Sequence, residues 1–175
     1  MKILTKTLVV LLIVMLSACT AANDPIINNS VKTSGTLAVS AATTSYSGQY
    51  APRHVLAIWV ESNSGTFVKT LRINGNQYRT WLSNWYNSTS TGNTTDATTG
   101  ATLPSHGTLT CSWNGKDGSE NVVGDGAYRV CMEFTESDAT GKFAYFNFTK
   151  GTTADTQSPA AQSNFSSVSI KWTPQ

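Results

Sequence analysis

The sequence is poor in charged residues and in the groups that build metal and catalytic sites. Only 13% of its 175 residues are charged, it has two histidines, and its three cysteines form no CxxC or CxxCH pair. Haem attachment and zinc sites need such closely spaced ligands, so neither kind of site is expected. The chain also lacks a GxSxG motif and a conspicuous acid pair, which argues against a hydrolase.

The one long apolar run lies at the N-terminus. Lys2 and Lys6 stand ahead of residues 8–16, a run too short to span a bilayer and typical of an export signal. Loss of these two lysines with the signal reduces the 12 basic residues to 10, equal to the 10 acidic ones. A mature chain without net charge has no electrostatic basis for binding nucleic acid, so no nucleic-acid partner is expected.

The end of this run carries a possible lipidation site. Residues 16–19, Leu-Ser-Ala-Cys, resemble the bacterial lipoprotein box, in which the cysteine is acylated at its thiol after cleavage. The resemblance implies a lipoprotein signal peptide over residues 1–18 and a lipid anchor on Cys19. The alternative is an ordinary signal cleaved near Ala18 or Ala21, which leaves the protein unanchored.

The remaining chain predicts a short tether and one domain. Residues 19–34 are polar and aperiodic, as expected of a flexible tether. Residues 35–175 contain short segments of alternating apolar and polar residues separated by turn sequences, which predicts an all-β, immunoglobulin-like two-sheet β-sandwich. The predicted strands are residues 36–41, 53–62, 66–73, 108–113, 128–136, 142–150 and 166–173.

One segment departs from the two-residue period. In residues 76–87 the apolar side chains recur at helical spacing, which predicts one short inserted amphipathic helix packed on a sheet. Residues 88–107 follow as a polar loop of a length that is uncommon in a compact domain unless the loop has a function.

The two cysteines of the domain leave two possibilities open. Cys111 and Cys131 lie on different predicted strands, and an exported protein meets a compartment in which disulfides persist. They are a possible disulfide, which would stabilise the fold by about 3 kcal/mol in the chain-entropy model. The alternative is a pair of buried thiols, because the sequence alone does not show whether the two side chains lie close enough to form a disulfide.

Residues 96–102, Asp-Ala-Thr-Thr-Gly-Ala-Thr, lie within the long loop. They resemble the motif for covalent flavinylation, in which an extracytosolic FAD:protein FMN transferase attaches FMN to the last hydroxyl through a phosphoester. The resemblance makes Thr102 the acceptor and assigns Asp96 and Thr99 to recognition by the transferase. Gly100 and Ala101 keep the segment narrow, and glycine also permits a turn that bulkier residues resist.

A wider resemblance covers most of the mature chain. YAPRHVLAIWVESNSGTFVKTL, the tryptophan-bearing helix, the motif, SHG and WNGKDGSENVVGDGAYRVCMEFTE together resemble a family of predicted periplasmic proteins of unknown function whose members carry the flavinylation motif. The last of these segments is also similar to the immunoglobulin-like domain of the flagellar hook-capping protein. The long insertion before the motif and the two domain cysteines depart from the family pattern.

The resemblances imply a function in the cell envelope. A flavinylated lipoprotein would carry electrons between membrane redox proteins, as a redox carrier rather than an enzyme, because no catalytic constellation is recognisable. The alternative is a non-redox envelope module that binds polymers or proteins. An aromatic side chain is expected to shelter a bound flavin, and Trp85 and His106 are added to the candidate cofactor contacts. The other aromatic candidates are Trp81, Tyr86 and Trp113.

Overall fold

A computed structural model of the protein describes residues 31–90 and 92–175, and these residues form two packed β-sheets. The nine strands are β1 (Gly35–Thr43), β2 (Val55–Ser62), β3 (Phe67–Asn74), β4 (Thr98–Gly100), β5 (Thr108–Trp113), β6 (Gly126–Thr135), β7 (Lys142–Lys150), β8 (Asp155–Gln157) and β9 (Phe165–Pro174). A 3₁₀ helix, Asn76–Trp81, and an α-helix, α1 (Ser83–Thr89), follow β3. In these described ranges no helix is long and apolar enough to cross a membrane.

The sheets have the order β5-β1-β9-β8 and β4-β3-β2-β6-β7. Every pairing is antiparallel except that of β4, which lies parallel to β3. This arrangement confirms the predicted all-β sandwich, and each of the seven predicted strands is present. The short β4 and β8 were not predicted, because three residues are too few to show an alternating pattern.

The core lies between the sheets, where alternate residues of each strand point inward. Its large aromatic members include Trp113, Tyr128, Phe134, Phe148, Phe165 and Trp172. The Tyr128 hydroxyl donates to the Gly124 carbonyl at 2.6 Å, four residues earlier, a contact similar to the tyrosine corner of immunoglobulin sandwiches. Burial, helped by the charge of Asp125, raises the pKa of Tyr128 to about 12.

The central strands β2 and β6 are also covered on their outer face. All eight residues of β2 are buried, because the helical segment packs over this side of the five-stranded sheet. A strand buried on both faces has a continuous apolar run rather than an alternating one, as in VLAIWV. The outer cluster contains Val55, Ala57, Trp59, Ile73, Leu82, Trp85 and Cys131.

The helical segment differs from the single helix predicted over residues 76–87. The chain breaks at Leu82, whose φ of −85° and ψ of 69° are not helical, so a 3₁₀ helix is followed by a separate α1. No side chain of its own caps α1; instead the buried Glu133 of β6 accepts the backbone N–H of Trp85 at 2.9 Å. Leu82 and Trp85 are buried while the 3₁₀ helix buries none of its residues, so only the second half of the segment packs on the sheet.

The possible disulfide between Cys111 and Cys131 is not formed, and both are free thiols. Cys111 lies in the four-stranded sheet and packs against the core between the sheets. Cys131 lies in the five-stranded sheet and points to its outer face, into the cluster under α1. The possible disulfide was inferred from spacing along the chain, which does not show that one side chain faces the core between the sheets and the other faces the outer side of the second sheet.

The N-terminal end of the described chain is fixed by a buried ion pair. Lys150, which is fully buried, donates to Asp125 at 2.7 Å, and Asp125 also accepts the backbone N–H of Thr33 at 2.9 Å. The predicted tether, residues 19–34, is described only from Val31, and from there on it belongs to the folded domain. The predicted signal peptide (residues 1–18) and Cys19 lie outside the described residues.

Removal of Asp125 is expected to destabilise the fold strongly. Asp125→Ala leaves the buried Lys150 ammonium without a counter-charge, which typically costs about 3 kcal/mol or more. Lys171→Ala, an exposed position with no ion pair among residues 31–90 and 92–175, should change the free energy of unfolding by less than about 0.5 kcal/mol. Urea denaturation of both variants measures this difference, and equal losses would contradict the role of the ion pair.

The two thiols should remain unreactive while the protein is folded. Burial raises the pKa of Cys111 to about 12 and raises that of Cys131 as well, and a thiol reacts through its thiolate. Peptide mapping after iodoacetamide treatment should find neither cysteine alkylated in the native protein and both alkylated in urea without a reductant. A crosslinked peptide containing both cysteines would refute the assignment.

Candidate functional site

The segment Asp96–Thr102 is fixed to the edge of the five-stranded sheet rather than forming a free loop. Thr98, Thr99 and Gly100 form β4 and pair in parallel with the end of β3. The predicted loop 88–107 is therefore interrupted by a strand. Backbone pairing of this kind holds the segment in one register along the sheet edge.

Further hydrogen bonds fix the backbone on both sides of Thr102. The Gly75 N–H donates to the Gly100 carbonyl at 2.9 Å, and the Asn74 side-chain amide donates to the Ala101 carbonyl at 3.0 Å. Beyond Thr102, the backbone N–H and carbonyl of Leu103 pair with those of His54 at 2.9 and 3.0 Å. Thr102 is thus a short span between two anchored points.

Most residues of the motif are exposed. Asp96, Thr99, Gly100 and Ala101 are all solvent-accessible, whereas Thr102 is half-buried. Asp96 adopts a positive φ of 57°, and its carboxylate lies 3.6 Å from the Lys69 ammonium. Spacing along the chain gives no indication of this contact, because Lys69 lies on a separate strand, β3.

The turn before β4 is closed by groups other than Asp96. The Ala97 N–H donates to the Thr94 carbonyl at 3.0 Å, and the side chain of Asn93 accepts the Thr95 N–H at 2.9 Å. Asn93 is therefore the residue whose side chain stabilises this turn.

Two glycines near Thr102 lie in close contact with their neighbours. A Cβ on Gly100 would lie 2.5 Å from the side-chain nitrogen of Asn74 and would displace the amide that donates to the Ala101 carbonyl. Gly75 has a φ of +76°, and a Cβ there would lie 2.3 Å from Val55 Cγ1 and 3.1 Å from the Thr102 hydroxyl. Gly75 thus brings the start of the 3₁₀ helix directly against Thr102, a role that the sequence did not reveal.

Thr102 lines a cavity of about 340 Å³, which is within the range of small-molecule sites. The walls come from the segment before β2, the 3₁₀ helix and the end of β6 with the loop after it. Among residues 31–90 and 92–175, no protein group hydrogen-bonds the Thr102 hydroxyl, and this oxygen is not sealed from solvent. The hydroxyl therefore faces an open site without a partner of its own.

Three exposed aromatic side chains surround this cavity. Tyr50, Tyr78 and Trp81 expose 37%, 46% and 38% of their surface and all line the cavity with Thr102. Tyr50 donates its hydroxyl to Asp138 at 2.6 Å, whereas Tyr78 and Trp81 project from the 3₁₀ helix. Exposed aromatic surface concentrated at one cavity is typical of a binding site.

The other predicted aromatic contacts lie elsewhere. Trp85 is fully buried and donates its indole N–H to the Thr70 hydroxyl at 2.9 Å, so it has no free face for a cofactor. Tyr86 packs on the outer cluster, and Trp113 is part of the core between the sheets. Of the tryptophans considered from the sequence, Trp81 is the one that lines the cavity with Thr102.

A stacked histidine pair lies beneath the cavity. The rings of His54 and His106 are 4.1 Å apart and nearly parallel, at 3°. His106 contacts Glu136 at 2.6 Å through Nε2 and the Thr43 hydroxyl at 3.0 Å through Nδ1. Both ring nitrogens of His106, which the sequence suggested as a cofactor contact, are therefore already engaged by protein groups. Through His106 and Glu136, the segment that follows the motif is held against the end of β6.

His54 contains one unpartnered polar atom. Its Nδ1 lies 3.2 Å from the Pro52 carbonyl, which can only accept, so Nδ1 carries the proton and Nε2 keeps a lone pair. Burial lowers the pKa of His54, which keeps the ring neutral at neutral pH. Nε2 is buried and has no hydrogen-bond partner in the described parts of the chain.

The charged groups of the cavity are not equivalent. Glu136 is held by His106 and by the backbone N–H groups of Tyr46 and Gly48, both at 3.0 Å, and Asp138 is held by Tyr50. Arg53 is exposed and makes no ion pair within the described residues. It is therefore the cation of this cavity that remains able to bind an anion.

Stability should fall in acid as Glu136 is protonated. Burial alone would raise the pKa of Glu136, but the hydrogen bonds it accepts outweigh this and lower the pKa from 4.5 to about 2. A lowered carboxyl pKa stabilises the fold above pH 4.5, and this contribution is lost as the pH falls towards 2. Urea midpoints between pH 6 and 2 should therefore fall less steeply for Glu136→Gln than for the wild type, whereas parallel curves would exclude this role.

Comparison with known proteins identifies the family. Residues 32–166 match the family model described as "Predicted periplasmic protein (DUF2271)". No curated protein and no solved structure matches the chain. The family description supports a location in the cell envelope, in agreement with the export signal predicted from the N-terminus. Because the match covers more than half of the sequence, the protein belongs to the DUF2271 family of predicted periplasmic proteins.

Proposed function

We propose that this protein is an electron carrier of the cell envelope, with FMN attached to Thr102 through a phosphoester. The observation that carries the proposal is the placement of the Thr102 hydroxyl. It ends an exposed motif at the sheet edge, makes no hydrogen bond in the described parts of the chain, and lines a cavity together with exposed aromatic side chains.

The exposed motif suits recognition by a second enzyme. In the proposed reaction with a FAD:protein FMN transferase, the Thr102 oxygen bonds to the FMN phosphorus of FAD. The pyrophosphate bond breaks, AMP leaves, and the hydroxyl proton is released. Asp96 and Thr99 are accessible for contacts with the transferase, and Gly100 and Ala101 add little bulk beside the acceptor.

The residues around Thr102 fit a flavin nucleotide. Arg53 is available for the phosphate, and the exposed aromatic side chains offer faces for a planar ring. FMN supplies one- and two-electron redox chemistry when bound. Because the bound FMN would supply the redox chemistry, we assign the chain the role of carrier.

Anchoring and partners follow from this assignment. Lipidation at Cys19 would hold the domain at a membrane surface, where membrane redox proteins can exchange electrons with it. The competing function is a non-redox module that uses Tyr50, Tyr78 and Trp81 to bind an envelope polymer. The two functions differ in whether Thr102 is modified.

Co-expression with a FAD:protein FMN transferase, FAD and magnesium tests the proposal. The intact mass of the wild type should rise by one FMN less water, and Thr102→Ala should abolish the gain. Thr102→Ser keeps a hydroxyl and should retain it.

A matched control lies four residues away. Thr98 is exposed on β4 but occupies a spacer position of the motif, so Thr98→Ala should still gain the full mass. A wild type that gains no mass in the presence of active transferase would refute the carrier function and favour the polymer-binding module.

A further inference from the structure

We propose that the protein holds the isoalloxazine ring of its flavin between Tyr78 and Trp81 of the 3₁₀ helix and Tyr50 opposite, with Arg53 neutralising the phosphodiester. This inference rests on the proposed attachment at Thr102. It gives a binding function to the 3₁₀ helix, whose aromatic side chains are not explained by packing in the core.

The 3₁₀ helix contributes nothing to the core. None of Asn76–Trp81 is buried, although the segment contains a tyrosine and a tryptophan. Within the segment, the Arg79 side chain donates to the Asn76 side chain at 3.3 Å. Aromatic side chains stabilise a fold mainly when they are buried. Their exposure here indicates that they are kept for a ligand.

The position of this helix places the aromatics beside the acceptor. Gly75 precedes the helix, adopts a left-handed conformation and approaches the Thr102 hydroxyl closely. Its N–H also bonds to Gly100 of the motif. The helix and the acceptor are therefore fixed to each other through one glycine, which keeps both aromatics near any group on Thr102.

The aromatics converge on one cavity. Among residues 31–90 and 92–175, five large apolar side chains are exposed, and three of them line the cavity of Thr102. The other two, Val31 and Tyr145, do not line it. A planar aromatic ligand with an anionic group matches these faces together with the unpaired Arg53.

The test compares the flavin in folded and unfolded protein. Holo wild type, with one FMN per chain by intact mass, should fluoresce less per flavin than the same protein in urea, because stacked tyrosine and tryptophan quench flavin emission. The melting temperature of holo wild type should exceed that of the Thr102→Ala apo form by roughly 2 to 4 °C, the effect of one or two aromatic stacking contacts.

Variants identify the residues. Tyr78→Ala combined with Trp81→Ala should fold normally, since neither side chain is buried, and should lose both the quenching and the gain in melting temperature. Arg53→Gln should reduce the gain and leave quenching in place. Tyr145→Ala, which removes an equally exposed tyrosine from β7 at the opposite sheet edge, should behave as the wild type.

The mass measurement distinguishes failure of this inference from failure of the proposed function. If the wild type carries one FMN whose emission does not change on unfolding, the ring is not held and this inference fails while the proposed function stands. If no FMN is attached, both fail. If the Tyr78, Trp81 double variant carries FMN and retains both the quenching and the gain in melting temperature, the assignment of these residues is wrong.

Discussion

The site depends on backbone hydrogen bonds that fix a short segment to the edge of the five-stranded sheet. β4 pairs with the end of β3, Gly75 bonds to Gly100, and His54 pairs with Leu103. Backbone bonds set position without using side chains, so the motif residues remain free and exposed. The backbone is anchored on both sides of Thr102, which fixes the position of this residue although it makes no hydrogen bond of its own in the described structure.

The rest of the fold supports this edge from below. β2 lies beside β3 and is buried on both faces, by the aromatic core on one side and by the cluster under α1 on the other. Glu133 holds the first turn of α1 from within the sheet, since this helix lacks a cap of its own. A stable central strand therefore carries the 3₁₀ helix, the histidine pair and the motif on one rigid base.

The sequence predicted the strands well because alternation is a local signal that each segment carries by itself. The sequence also drew attention to residues 96–102, and the last of them, Thr102, lines the cavity. The split at Leu82 was missed, since helical spacing of the aromatics continues through a residue whose backbone leaves the helix. Which aromatic side chain faces the cavity and which faces the core depends on neighbouring strands, so Trp85 was misplaced. The positions of Tyr50 and Arg53 at the cavity were not recognised for the same reason. Spacing along the chain likewise gave no information on the different environments of the two thiols.

The position of β4 has a consequence for the behaviour of the protein in a crowded envelope. A sheet edge with unpaired N–H and carbonyl groups is a template on which another chain can add a strand. β4 covers the end of β3 with three residues rich in threonine, too few to offer a long template in turn. The same segment that displays Thr102 therefore covers the end of this sheet edge, so sequence changes that release it would expose the end of β3 to strand addition as well as disrupt the site.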